Sequence, residues 1–219
     1  MVCGVGPTGC DSRVALIGDS HAMMWSSPFR RVINNKGWRL ITMTKTACPV
    51  MLGLYTQRQL EIDGGRSCQK WRRNVIDKLK ARPPDLIVIT HSDRYKLFSS
   101  SGKLHAKTKR PTLWKQALRK TLDALPSKSE VLVVGDVPHN FGNPRKCLNH
   151  SRNDMSKCVS PKAGPPGRRI EIALRDTARA NGAQFRTLCG RFCSAVPGAV
   201  GEGDGVLGGG LWRGASPVA

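Results

Sequence analysis

Five short apolar runs alternate with segments of helical periodicity, and this alternation limits the folds open to the chain. The runs are rich in β-branched residues and lie at 14–17, 40–43, 86–89, 131–134 and, more weakly, 184–188. A strand that is apolar at every position, rather than at every second one, is typical of a sheet covered on both faces. The runs therefore predict the strands of a buried parallel sheet.

The segments between the runs predict the helices. Stop signals follow each helical segment, because Gly adopts the left-handed conformation past a helix end and Pro cannot continue a helix. Strands that alternate with helices form βαβ units, so we predict one doubly wound α/β domain. The helical stripes are Phe29, Val32 and Ile33, then Trp71, Val75 and Leu79, then Trp114, Leu118, Leu122 and Leu125, and last Ile170, Ala173, Leu174, Thr177 and Ala178.

The chain carries a large positive charge. Its 36 Lys and Arg residues against 15 Asp and Glu residues give a formal net charge of +21. Such a field attracts nucleic acid, anionic lipid surfaces or acidic glycans. The chain has neither an RNP-type aromatic motif nor a helix-turn-helix signature, and only 5% of its residues are aromatic. We therefore expect an anionic wall polymer or lipid headgroups as partners rather than nucleic acid.

Eight cysteines suggest disulfides in an oxidising compartment. Their spacing does not match the paired C-x₂-C of a zinc site, so we expect no bound metal. The first residues have neither the basic nor the apolar region of a secretory signal, and no apolar run reaches the roughly 20 residues of a membrane helix. We therefore expect a segment upstream of this chain to export it. Sequential pairing, one connectivity among many, would join Cys3–Cys10, Cys48–Cys68, Cys147–Cys158 and Cys189–Cys193.

Ser20 is the strongest candidate for a catalytic residue. The first strand runs into Gly18-Asp19-Ser20-His21 and then directly into a helix. This order places Ser20 at a helix N-terminus and at the carboxyl end of a parallel strand, where open α/β sheets bind ligands. A serine there can act as a nucleophile whose own N–H stabilises the resulting oxyanion. The alternative is that Ser20 or Asp19 only caps the helix.

Several blocks together resemble a known family. Residues 18–22, Gly-Asp-Ser-His-Ala, resemble the first block of the SGNH (GDSL-like) hydrolase superfamily. More narrowly, the chain is similar to the SGNH domain fused behind acyltransferase-family-3 membrane proteins, over roughly residues 12–193. The further matching blocks, in the family's order, are residues 45–49, 68–71, 82–86 and 133–138, followed by Cys147 and Cys158.

The resemblance implies a three-layer α/β/α, flavodoxin-like domain with a parallel sheet of about five strands. It implies an extracytoplasmic domain, tethered to the membrane by a part that precedes this chain, with Ser20 as catalytic nucleophile and no cofactor. The implied reaction is O-acyl, commonly O-acetyl, transfer onto a cell-envelope polysaccharide or peptidoglycan. An upstream membrane domain would supply the acyl group. We assign residues 1–12 to a linker remnant, 13–193 to the SGNH-like domain and 194–219 to an irregular, disordered Gly-rich tail.

The chain also departs from the family pattern. The Gly donor after the second strand is not evident near Lys45, and the Gly-x-Asn-Asp block reads Thr-His-Ser-Asp at residues 90–93, so Ser92 is only a partial substitute for the Asn oxyanion donor. No histidine follows Cys193, so the family's Asp-x-x-His is missing. We expect a shifted reading frame or a truncation from about residue 194, which would leave Ser20 without its base and this copy impaired. The expected site-lining residues are Gly18, Asp19, His21, Lys45, His91 and Ser92, with His21 mainly structural and His91 or His139 as a substitute base.

Two alternatives to the transferase stay open. The first is a carbohydrate or lipid acetylesterase, which uses the same acyl chemistry with water as the acceptor. The second is a non-catalytic basic module that binds an anionic glycan or nucleic acid by charge alone.

Overall fold

Six strands form the central sheet of this protein. The computed structural model describes residues 2–5, 12–137, 146, 149–150 and 168–188. The sheet has the order β1-β3-β2-β5-β7-β8, and β4 and β6 form a separate two-stranded sheet. The strands are β1 Val2–Val5, β2 Arg13–Gly18, β3 Arg39–Thr44, β4 Tyr55–Thr56, β5 Leu86–Thr90, β6 Leu97–Phe98, β7 Glu130–Val134 and β8 Gln184–Arg186.

Helices cover both faces of the sheet. The first face packs against α4, α5 and α6 through a core that includes Val75, Trp114 and Leu174. The second face packs against α1 and α2 through Ala22 and Ile33. This is the predicted three-layer arrangement. The helices are α1 Ser20–Met24, α2 Ser26–Asn35, α3 Gln57–Asp63, α4 Arg66–Ala81, α5 Arg110–Ala124 and α6 Arg168–Ala180.

The five predicted parallel strands are confirmed, and their order contains the reversal at which α/β sheets commonly bind ligands. β2, β3, β5, β7 and β8 are parallel and follow the flavodoxin-like order 2-1-3-4-5 when they are numbered among themselves. From β2 the chain first adds β3 on one side, and the later strands β5, β7 and β8 are added on the other side. Open α/β sheets bind ligands at the carboxyl ends of the two strands where the order reverses in this way, here β2 and β5. Gly18 and Thr90, the last residues of these two strands, are register partners there.

Several elements differ from the sequence-based expectation. Residues 2–5, which we assigned to a linker, pair antiparallel with β3 and extend the sheet by one strand. Without them the long edge of β3 would expose unpaired backbone groups. The first predicted helix is two helices, α1 and α2, separated at Trp25. The strands β4 and β6 have two residues each, which is too short for any periodicity to reveal.

The loop after β3 is fastened to α4. Cys48 and Cys68 form one of the expected disulfides, with Cα atoms 5.8 Å apart. The buried Arg72 donates from Nε to the Pro49 carbonyl at 2.8 Å and from Nη1 to the Leu54 carbonyl at 2.7 Å. Burial lowers the pKa of Arg72 to about 10, so its cation persists at neutral pH and is solvated by carbonyl oxygens. These contacts hold the segment that follows the carboxyl end of β3.

The remaining predicted features lie outside the described part of the chain. They include Cys10, Cys147, Cys158, Cys189 and Cys193, the side chain of Cys3, and the tail from residue 194 onward. Among the described helices, none is both long enough and apolar enough to cross a bilayer.

Gly18 provides a test of how closely β2 approaches β5. It has a φ of +151°, and a Cβ at this position would lie 1.8 Å from the Thr90 carbonyl oxygen. We expect Gly18→Ala to lower the free energy of unfolding by about 3 kcal/mol or more, because both the backbone strain and the clash must be relieved. Urea unfolding would measure the loss.

Gly53→Ala is the matched control, because Gly53 also has a positive φ, of +82°, but nothing lies within 4 Å of the added Cβ. The control should lose only about 1–2 kcal/mol, the cost of the left-handed backbone. Equal losses in the two variants would contradict the close approach.

Candidate active site

Ser20 is the first residue of α1, but it does not cap the helix. Asp19 is the N-cap, and its Oδ1 accepts a hydrogen bond from the His21 backbone N–H at 2.8 Å. Ser20 is half-buried, and within the described residues no hydrogen bond to its hydroxyl is present. The fold therefore leaves the Ser20 hydroxyl unused, at a helix N-terminus that favours negative charge.

The Asp19 carboxylate joins two strand ends. It is fully buried, and its Oδ2 accepts from the Ser92 backbone N–H at 3.0 Å and from the Tyr95 hydroxyl at 2.6 Å. Together with the His21 N–H, these donors replace the water that a buried carboxylate loses. Burial and the charge of Asp19 raise the pKa of Tyr95, so the phenol keeps its proton and donates. The turn that carries Ser20 is thus fixed to the loop after β5.

His21 forms an ion pair with Asp136, which follows β7. His21 Nδ1 lies 2.5 Å from Asp136 Oδ1, and the two side chains are 22% and 2% exposed. Asp136 also accepts from the backbone N–H groups of Asp93 at 3.1 Å and Val137 at 2.8 Å. The hydrogen bond to Asp136 raises the pKa of His21 despite its partial burial. The pair therefore favours a positively charged imidazolium next to Ser20 in the chain.

Asp93 is a second buried carboxyl group beside Asp136. Burial first, and then the charge of Asp136, raise the pKa of Asp93 to about 7, although the Arg110 cation opposes the shift. Arg110 Nη2 donates to the Asp93 carbonyl at 2.6 Å. Near neutral pH a large share of Asp93 is therefore protonated, beside the ion pair of Asp136 with His21.

His91, a predicted substitute base, lies in the core. It is 2% exposed, and its ring stacks on Trp114 of α5 with centroids 4.6 Å apart and planes inclined by 14°. Burial lowers the pKa of His91, so the ring is neutral at pH 7. Its Nε2 has no hydrogen-bond partner in the described part of the chain. These contacts place His91 between the sheet and α5, as a packed side chain.

The other predicted site residues lie at the same edge of the sheet. The Lys45 backbone N–H donates to the Gly18 carbonyl at 3.1 Å, so Lys45 follows the end of β3 beside the end of β2. The Ser92 hydroxyl accepts from the Arg94 N–H at 3.4 Å, within a local turn. Ala47 has a positive φ of 56°, a conformation that usually favours glycine. His139 lies outside the described residues.

A comparison with protein families decides the relationship. The family model described as the SGNH domain fused to AT3 domains matches residues 1–204. The chain belongs to this SGNH-domain family.

The SGNH domain also resembles a solved structure in its fold. That structure is the periplasmic domain of the lipopolysaccharide acetyltransferase of Salmonella ser. Paratyphi A, with a TM-score of 0.58 and 19% sequence identity. The match covers 82% of this chain and 67% of the other. No curated protein matched the sequence.

Sequence analysis did not single out three side chains of the candidate site. Asp136 and Asp93 lie inside motifs that resemble the family, but the pattern did not indicate that they would meet. Tyr95 carried no sequence signal. His21, which we expected to be mainly structural, forms the ion pair with Asp136. Periodicity reports which face of an element is buried, whereas these contacts depend on which strand ends become neighbours.

The ion pair predicts a pH dependence. The folded-state pKa of His21 lies above its unfolded value near 6.5, so the pair contributes fully below about pH 6.5 and is lost as pH rises through the folded pKa. We expect Asp136→Asn to lower the pKa of His21, as followed by NMR titration of the imidazole. Between pH 5 and 6.5 the loss of stability should be largest, and it should shrink at higher pH.

Asp176→Asn is the control for this titration, since Asp176 pairs with Arg175 on the exposed surface of α6. It should leave the pKa of His21 unchanged. An unaltered His21 pKa in Asp136→Asn would show that the pair does not form.

Tyr95→Phe tests the Asp19 network. The variant keeps the ring that packs against the core but removes the hydroxyl donor to Asp19. We expect a loss of about 1.5–3 kcal/mol in unfolding free energy, because the acceptor is a buried charge. Tyr55→Phe, for which the structure records no hydroxyl hydrogen bond in the described residues, should lose less than about 0.5 kcal/mol. Similar losses in the two variants would argue against the role of Tyr95.

Proposed function

We propose that this chain is the extracytoplasmic SGNH domain of an O-acyltransferase, in which Ser20 carries the acyl group. The observation that carries the proposal is that Asp19, and not Ser20, caps α1. The Ser20 hydroxyl is therefore available at the carboxyl edge of the sheet, beside the reversal between β2 and β5, where α/β folds bind ligands. Family membership and the fold of the acetyltransferase neighbour support this reading.

The proposed reaction has two steps. First, Ser20 Oγ attacks the carbonyl carbon of an acyl donor, loses its proton to a base, and expels the donor's leaving group. The oxyanion of this step is stabilised by the Ser20 backbone N–H at the start of α1. Second, a hydroxyl of an envelope polysaccharide or peptidoglycan attacks the acyl-serine, which forms the new ester and returns the proton to Ser20. The acyl donor comes from a membrane acyltransferase domain.

The first step needs a general base, and neither described histidine near the candidate site meets the requirements for one. A general base must be unprotonated and within hydrogen-bond reach of the nucleophile. Asp136 favours the protonated form of His21, and His91 is packed against Trp114. A protonated His21 cannot accept the serine proton. We therefore propose that the reaction is slow at neutral pH.

The extracytoplasmic location is also part of the proposal. AT3 partners of the family are membrane proteins, and the acetyltransferase neighbour is a periplasmic domain. The Cys48–Cys68 disulfide is consistent with an oxidising compartment.

A fluorophosphonate probe tests the nucleophile. We expect the probe to label Ser20 in the wild type, slowly near neutral pH. Peptide mass spectrometry would locate the adduct. Ser20→Ala should abolish labelling, whereas Ser27→Ala, at an exposed position on α2, should leave it unchanged.

The acyl acceptor separates transferase from esterase. With p-nitrophenyl acetate as donor, transfer to an oligosaccharide should exceed hydrolysis for a transferase. A wild-type protein that is never labelled at Ser20 would overturn the acyl chemistry and favour the non-catalytic basic module.

A further inference from the structure

The segment between β5 and α5 is strongly basic. Residues 94–110, the basic loop, contain six Lys or Arg residues and no Asp or Glu. The loop begins directly after Asp93 and ends at the first residue of α5. It therefore starts at the carboxyl edge of the sheet, the edge that carries Ser20. The six residues are Arg94, Lys96, Lys103, Lys107, Lys109 and Arg110.

Both ends of the basic loop are bound to the site. Near its start, the Tyr95 hydroxyl donates to Asp19, the N-cap of the helix that begins with Ser20. At its end, Arg110 donates to the Asp93 carbonyl. Arg94 and Lys96 flank Tyr95 in the chain and are exposed. Two exposed cations therefore adjoin, in the chain, a residue whose side chain contacts the turn carrying Ser20.

Backbone hydrogen bonds order the loop between these ends. The Ser99 N–H donates to the Lys103 carbonyl at 2.8 Å, and the His105 N–H donates to the Leu97 carbonyl at 2.9 Å. The short strand β6 within the loop pairs antiparallel with β4. The cations are therefore presented on a folded hairpin, which reduces the entropy that a ligand must remove on binding.

The lysines of the loop form no ion pair within the described part of the chain. There the ion pairs are His21–Asp136, Arg119–Asp123 and Arg175–Asp176, and none of them involves the loop. Lys96, Lys103, Lys107 and Lys109 are exposed. The acidic side chains at the start of the loop, Asp19 and Asp93, are buried. An external anion would thus meet several accessible ammonium groups.

We propose that the basic loop recognises an anionic glycan, one that carries carboxylate or phosphate groups, as the acyl acceptor. The acceptor role rests on the proposed function. A polymer bound along the loop would bring its hydroxyls to the edge of the sheet that carries Ser20, and a flat lipid surface would have no such reason to engage this loop in particular. Nucleic acid is a poorer fit, because the loop's aromatic rings, Tyr95 and Phe98, are partly buried and offer little surface for base stacking.

The test compares two triple variants that remove the same charge from different places. The loop variant is Lys96→Gln, Lys103→Gln and Lys107→Gln. The control is Lys70→Gln, Arg73→Gln and Lys80→Gln, on the exposed face of α4. All six side chains are exposed, so both variants should fold, and urea unfolding would verify this.

Binding of polygalacturonate is the primary measurement, with neutral dextran and phosphatidylglycerol vesicles as comparison probes. We expect the wild type to bind polygalacturonate in a salt-dependent manner and not to bind dextran. The loop variant should bind about tenfold more weakly, and the α4 variant within about twofold of the wild type, since exposed charge contacts are individually small. Equal losses in the two variants would overturn the proposal and indicate a diffuse effect of net charge. Loop-dependent binding of the vesicles in preference to the polymer would also overturn it, in favour of a lipid surface.

Labelling of Ser20 keeps this inference separate from the proposed function. We expect polygalacturonate to slow fluorophosphonate labelling of the wild type but not of the loop variant. If Ser20 is never labelled and the loop variant still binds weakly, anionic recognition is supported while the acyl chemistry fails. If Ser20 is labelled and the loop variant binds polygalacturonate like the wild type, the acyl chemistry is kept and the present inference is overturned.

Discussion

The arrangement at the edge of the sheet depends on one buried carboxylate. Asp19 has no contact with water, so it must accept hydrogen bonds from protein donors or destabilise the fold. It accepts one from the start of α1, one from the Ser92 backbone and one from the Tyr95 hydroxyl. These three donors come from two different connections of the sheet. Their common acceptor therefore sets where Ser20, the loop after β5 and the beginning of the basic loop lie relative to one another.

Electrostatics gives this edge two different characters. Inside, the carboxyl groups of Asp93 and Asp136 are close enough to oppose each other's ionisation, and Asp136 pairs with His21. Outside, the basic loop presents cations without carboxylate partners among the described residues. Because the carboxyl groups are buried, salt screens the His21–Asp136 pair only weakly. The exposed cations of the basic loop can then attract anionic solutes.

The sequence predicted the sheet well and the site only in part. Continuous apolar runs indicated the five parallel strands correctly because both faces of these strands are buried by helices. The edge strand at residues 2–5 and the break at Trp25 were missed, since a four-residue strand and a one-residue interruption leave almost no periodic signal. Ser20 was selected as the candidate nucleophile through its position between a strand and a helix. Tyr95 was not found, because a tyrosine in a polar segment looks the same whether or not it reaches a buried acid.

Local pattern by itself determined the α/β class, the place of Ser20 at the end of a strand, and the excess of positive charge. These properties depend on neighbouring residues or on composition, so they can be read along the chain. Only the tertiary structure decided that Asp19 rather than Ser20 caps the helix, that His91 stacks on Trp114, and that His21 pairs with Asp136. The last two residues are 115 positions apart. They meet because the strand order brings the carboxyl ends of β2 and β7 to one edge, and contacts across such distances follow from packing that no local pattern encodes.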